Sequence, residues 1–157
     1  MKVFISHKNT DQYIARRVLD VLKSQGVDAY LDLLDNTIVY KGELLTKHIK
    51  SKINECTDIL VVMSEETRYS WWVPFEIGMA TQKDLPTVSY LQSGVELPDY
   101  LAYWPRLKNE TDLLQYVVTR RYVQQQTIIG RSLEQSSFSN NTSETERFYA
   151  ELKQRLR

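Results

Sequence analysis
Apolar residues change their spacing several times along this chain, and each change marks an element. Residues 2–6, KVFIS, form a β-branched and aromatic run that ends in the polar stretch SHKNTD, which predicts a first strand and a loop. The spacing then lengthens. Ile14, Val18, Val21 and Leu22 share one face of a helix, and Gly26 can close it because glycine takes the left-handed C-cap conformation without strain. VDAYLD, 27–32, predicts a second strand. Residues 33–43, LLDNTIVYKGE, mix turn chemistry with apolar residues, so a long loop is expected, followed by a helix with Leu45, Ile49 and Ile53 inward. ILVVMS, 59–64, has no polar alternation. Such a strand is covered on both faces and belongs at the middle of a sheet.

The stretch SWWVPFEIGMA, 70–80, predicts a helix in which Pro74 suits the first position, where its missing N–H is unpaired anyway, and Glu76 falls in the first turn. Pro86 then precedes a fourth strand, TVSYL, 87–91. A fifth is faint: 104–107 is the best candidate, and Pro105 confines it to a sheet edge. A helix over 111–124 is expected to turn Leu114, Val117 and Val118 inward. The serine-rich stretch 132–143 reads as a linker, and Ser143 with Glu146 forms a capping box before a last helix carrying Phe148, Tyr149, Leu152 and Leu156. That stripe needs a partner, either the domain's own flank or another protomer.

Strands alternating with helices imply an α/β fold, a parallel sheet of about five strands wrapped on both faces. Ligands in such folds lie at the carboxyl ends of strands, which selects 6–11, 32–42 and 64–76 as the rim. With 157 residues and 42% hydrophobic content, one domain with a short appendage is expected. Twenty basic and twenty acidic residues cancel, so no overall field draws in nucleic acid or an acidic membrane. Cys56 is the single cysteine, which excludes an internal disulfide and a multi-cysteine metal site. The start lacks a signal-peptide pattern and the run ILVVM is too short to span a bilayer, so a soluble, cytoplasmic protein is expected. The triplets at Asn109 and Asn140 carry little weight without an export signal.

The ordered set VFISH, a polar loop with Asp11, GVDAYLD, a long loop, a helix, ILVVMS, and finally Ser70, Trp71, Trp72 and Glu76 resembles a Toll/interleukin-1 receptor (TIR) domain of the bacterial or plant-like kind. The resemblance covers about 2–123. It implies a flavodoxin-like domain over 1–124 and leaves 125–157 as a C-terminal linker and amphipathic helix. In that family a tryptophan four residues before a glutamate, here Trp72 and Glu76, marks enzymes that break the nicotinamide–ribose bond of NAD. The implied catalytic residue is Glu76. Ser6, His7, Lys8, Asp32, Tyr40, Ser70, Trp71 and Trp72 are the implied substrate-binding residues: Lys8 for a phosphate, Asp32 for a ribose hydroxyl, the loop through Tyr40 as a cover, and a tryptophan for stacking on a flat base. NAD is then a substrate, and no cofactor or metal is expected. The resemblance further implies a homo-oligomer or filament, a separate effector responding to the product, and a place in bacterial anti-phage defence.

The chemistry has its own logic. Losing a base from ribose passes through an oxocarbenium-like sugar, which a nearby carboxylate stabilises, and nicotinamide leaves as a neutral base without needing an acid. One carboxylate can therefore suffice. Each residue also has a plainer reading: Glu76 as a helix-dipole partner, Lys8 as a surface lysine, Asp32 as turn chemistry, Cys56 as an inert packed thiol. Two other functions fit the pattern, a non-catalytic adaptor working by homotypic assembly and a nucleoside deoxyribosyltransferase-like enzyme with a nucleophilic carboxylate.

Overall fold
In the computed structural model, which describes residues 1–31, 42–133 and 143–157, the strands are β1 (Lys2–Ser6), β2 (Asp28–Leu31), β3 (Asp58–Met63), β4 (Thr87–Leu91) and β5 (Arg106–Leu107). They form one parallel sheet in the order β2-β1-β3-β4-β5. This is the flavodoxin-like order, and it reverses direction between β1 and β3. β3 is central and every residue of it is buried, as its unbroken apolar run requires. β5 is two residues at the edge, directly after Pro105.

The helices are α1 (Gln12–Ser24), α2 (Glu43–Glu55), α3 (Trp72–Gln82), α4 (Glu110–Leu133) and α5 (Glu144–Arg155). Alternate strand residues feed two cores. Val3, Ile5, Leu60, Val62 and Val88 face α1, α4 and α5, while Phe4, Ile59, Val61 and Met63 face α2 and α3. α1 ends at Gly26, with φ of 66°, and the N–H groups of Gly26 and Val27 reach back to Lys23 O (2.9 Å) and Leu22 O (3.0 Å), which satisfies two terminal carbonyls. On α1 the buried residues are Ala15, Val18 and Leu22, with Ile14 and Val21 half-buried.

α4 departs from expectation twice. It continues past 124 to Leu133, and its buried stripe is Leu113, Tyr116, Val117, Arg120 and Val123, so that of the three residues expected inward only Val117 is. Leu114 and Val118 are instead exposed. Two apolar stripes run along this helix, and periodicity alone does not choose between them. The one holding fully buried Tyr116 and the paired Arg120 faces the sheet.

Arg120 decides the amino end of the molecule. Its guanidinium bonds Asp58 at the start of β3 (2.7 Å) and Glu144 at the start of α5 (2.6 Å), and the first pair is almost fully buried. Ser143 Oγ caps α5 by accepting from the Glu146 N–H at 3.1 Å. Phe148, Tyr149 and Leu152 then enter the core, and the Tyr149 hydroxyl accepts from the Thr87 N–H at 2.8 Å. The stripe on the last helix thus covers the domain's own flank. Among the described residues no helix is long and apolar enough to cross a membrane.

Removing the guanidinium in Arg120→Met leaves the buried Asp58 carboxylate with the Thr57 hydroxyl (2.6 Å) but no opposite charge beside it, so unfolding in urea should show a loss of about 3–5 kcal/mol. An unchanged midpoint overturns that assignment. Burial pushes the Cys56 thiol up to about 11, whereas an unfolded cysteine titrates near about 8.5. Folding therefore keeps the thiol proton on. At pH 8 the folded chain should alkylate slower than the urea-unfolded chain by about two orders of magnitude. Because the folded state holds this proton to higher pH, the thiol's contribution to stability declines as pH rises above about 8.5. Equal alkylation rates would show the thiol to be accessible.

Candidate active site
The sheet order reverses between β1 and β3, so the crevice beyond their carboxyl ends is where an open α/β sheet takes a ligand. β1 ends on Ser6, which is fully buried, and its hydroxyl donates to Glu76 Oε2. Glu76 is 1% exposed. Its other oxygen, Oε1, accepts from the indole N–H of Trp72 at 3.0 Å. The carboxylate therefore stands at the switch point with a donor on each oxygen, which compensates the water it has lost.

The local sequence explains how α3 delivers it. The helix begins at Trp72, two residues earlier than expected, so Pro74 is its third residue and Glu76 lies in the second turn. Ser70 causes the early start: its backbone is extended, and its hydroxyl accepts from the N–H groups of Trp72 (3.3 Å) and Val73 (3.4 Å). Pro74 still falls among the first four positions, whose N–H groups have no partner inside a helix. The field of a helix end fades beyond the first turn. Side-chain donors, rather than the helix dipole, are the partners of this carboxylate. Trp72 is four residues before Glu76, one turn along the helix, which is the spacing that brings their side chains together.

A second buried carboxylate braces the same edge. Asp11 accepts from Ser64 Oγ (2.6 Å) and from the Thr67 hydroxyl, and Ser64 Oγ in turn accepts from the N–H groups of Glu66 and Thr67, both at 3.1 Å. This knot ties the loop after β1 to the loop after β3. Lys8 adds an exposed ion pair with Glu66 at 3.0 Å.

A family model described as "TIR domain" matches residues 3–91, more than half of the chain. The chain belongs to the TIR domain family. The match contains Ser6, Asp11, Ser64, Trp72 and Glu76 and stops at the end of β4. No curated protein matches the chain. Among solved structures it is similar to the TIR domains of the activated Roq1 resistosome that directly recognizes the pathogen effector XopQ, at 14% identity and a TM-score of 0.48, over 98% of this chain and 81% of that one.

Within this TIR domain the structure brings Ser6, Trp72 and Glu76 into contact and seats His7, 8% exposed, next to Ser6 at the strand end. Ser70 acts on the helix N-terminus. Lys8 meets a carboxylate. Trp71 is 78% exposed and packs edge-on against half-buried Trp72, with ring centroids 5.3 Å apart. Asp32 and Tyr40 lie outside the described residues. Among the described residues no group of three or more side chains is arranged to hold a metal ion. A cavity of about 550 Å³ lies between α2 and α3, lined by Ile53, Phe75, Gly78 and Met79 among others, and neither Ser6 nor Glu76 lines it.

Sequence reasoning missed the Asp11 knot and the packing of Phe75 on Trp72, centroids 5.1 Å apart. Asp11 directly precedes a helix and so reads as a cap, yet its side chain makes no cap bond. The local signal points to the wrong partner, because Ser64 and Thr67 come from another strand end.

Taking the hydroxyl from Ser6 in Ser6→Ala removes one donor from a buried carboxylate. The expected cost is about 1.5–3 kcal/mol in denaturant unfolding, and a change smaller than about 0.5 kcal/mol would mean that the bond is not made in solution.

Proposed function
We propose that this TIR domain cleaves the bond between nicotinamide and ribose in NAD, with Glu76 as the catalytic carboxylate. The observation that carries this reading is the position of Glu76: a buried acid at the carboxyl edge, at the sheet's switch point, beside the end of β1. As the base departs, positive charge develops on the sugar, and a carboxylate in a water-poor site stabilises that charge far more than it would in water. Nicotinamide leaves neutral, so no second acid is needed on the other side of the bond. With Ser6 and Trp72 donating to its two oxygens, Glu76 suits an electrostatic role better than attack on the anomeric carbon, which favours glycohydrolysis or cyclisation over nucleoside transfer through a covalent intermediate.

The products under this reading are nicotinamide and ADP-ribose in linear, cyclic or conjugated form. These serve as a nucleotide signal to a separate effector, or the loss of NAD is itself the effect, in bacterial anti-phage defence. A second reading is an assembly module. It is favoured by the outward stripe on α4, where Leu114, Val118, Tyr122 and Ile129 are exposed at helical spacing. The two readings are compatible, since assembly through α4 would leave the carboxyl edge open.

Purified protein incubated with NAD should release nicotinamide, followed by chromatography, with mass spectrometry assigning the sugar product. Glu76→Gln keeps the shape and removes the charge, and it should lower turnover by about 10²–10³-fold. Wild-type turnover that survives this substitution removes Glu76 from the chemistry.

A further inference from the structure
The Glu76 carboxylate is closed to a sugar in the state described. At 1% exposure it presents almost no surface on which a ribose hydroxyl can land, and the groups that cover its two oxygens include Ser6 on Oε2 and Trp72 on Oε1. These two donors are not equally free to withdraw. Ser6 is the last residue of β1, fully buried, and in register with Val61 of the central strand. Its hydroxyl has little room to leave. Trp72 is the first residue of α3 and half-buried, and it lies between two partly solvent-facing rings, Trp71 at 78% exposure and Phe75 at 39%. Its indole also packs against the rim of the α2–α3 core, and it can turn outward over these rings at the cost of that partial contact, while no fully buried side chain has to move.

We propose that Trp72 is a shutter on Glu76, whose indole N–H holds the place of a sugar hydroxyl on Oε1 and turns outward when ribose enters. The inference rests on reading Glu76 as the carboxylate that meets the sugar. The exchange conserves hydrogen bonds: one donor leaves Oε1 and a hydroxyl donor replaces it. A ligand without a suitable hydroxyl would return no donor in place of the one that left Oε1, so the shutter also selects for hydroxylated sugars. Ser6 remains on Oε2 throughout and keeps the carboxylate in position. Trp72 acts through Glu76 and is a positioning residue, separate from any stacking on the base.

The test uses ADP-ribose as probe, since it carries the sugar and lacks the bond to be broken. In protein labelled with ¹⁵N at the indoles of Trp71, Trp72 and Trp104, each assigned by its Phe variant, saturating ADP-ribose should move the Trp72 indole N–H resonance in the direction of a lost acceptor and leave Trp104 in place. Trp72→Phe keeps a ring and lacks the N–H, so no bond has to be given up, and ADP-ribose should bind it about tenfold tighter than wild type. Saturable binding with the Trp72 resonance unmoved overturns the shutter and spares the role of Glu76, as does Trp72→Phe binding no tighter than wild type. Binding that Glu76→Gln leaves unchanged overturns the parent reading instead. If neither wild type nor Trp72→Phe binds the probe, both are overturned.

Discussion
Burying Glu76 beneath the carboxyl edge of the sheet removes its water, and that cost has to be met by donors aimed at both oxygens. Much of the local architecture meets this requirement. β1 must stop so that Ser6, and not an apolar residue, is the last inward side chain on the α3 face. α3 must start at Trp72 so that an indole N–H stands one turn before the acid, and Ser70 secures that start by accepting from the first helical N–H groups. An alanine at Ser6 or a phenylalanine at Trp72 leaves the backbone possible and the carboxylate short of a partner. A core leucine in place of Glu76 would ask for none of this, so the arrangement is costly for a purely structural glutamate.

The two ends of the sheet solve different problems with the same chemistry. At the amino end, Asp58, Arg120 and Glu144 form a buried ion-pair chain, and the Tyr149 hydroxyl takes the free N–H of Thr87. Opposite charges there satisfy one another, and the helix α5 is closed over them. At the carboxyl end the acids Asp11 and Glu76 meet hydroxyls and an indole. Neutral donors bind a carboxylate less tightly than a guanidinium does, and they can be exchanged for the hydroxyls of a ligand. The amino end is closed by charge pairs, and the carboxyl end holds its acids with neutral donors.

Much of this was legible in the sequence because parallel α/β folds state themselves plainly. The unbroken run of β3 announced a central strand, Gly26 announced a helix end, and Ser143 with Glu146 announced α5. The ordering of motifs located Ser6, Trp72 and Glu76 before any contact between them was known. What failed to show depended on packing between distant segments. α4 carries two apolar stripes, and only the Arg120 pair and the bulk of Tyr116 select the inner one. The start of α3 was misjudged because Pro74 is an obvious first residue while Ser70 caps from further back. Asp11 directly precedes α1, and its partners Ser64 and Thr67 come from the end of β3, more than fifty residues along the chain.

That division between ends also explains how the site can move without loosening the fold. Opening the shutter breaks the bond from Trp72 to Glu76, in a half-buried side chain that packs between Trp71 and Phe75 and against the rim of the α2–α3 core. The cores on both faces of the sheet, the Arg120 chain and the α5 cap make no use of the indole N–H. Ser70 holds the helix start through backbone N–H groups, which stay in place when the indole turns, so the helix does not need to unwind. Local opening is cheapest where few buried contacts are lost, and a half-buried ring at the rim of the α2–α3 core loses fewer than a fully buried one would. A carboxylate that is protected while empty and uncovered by its own ligand needs this combination: a rigid strand on one oxygen and a half-buried aromatic on the other.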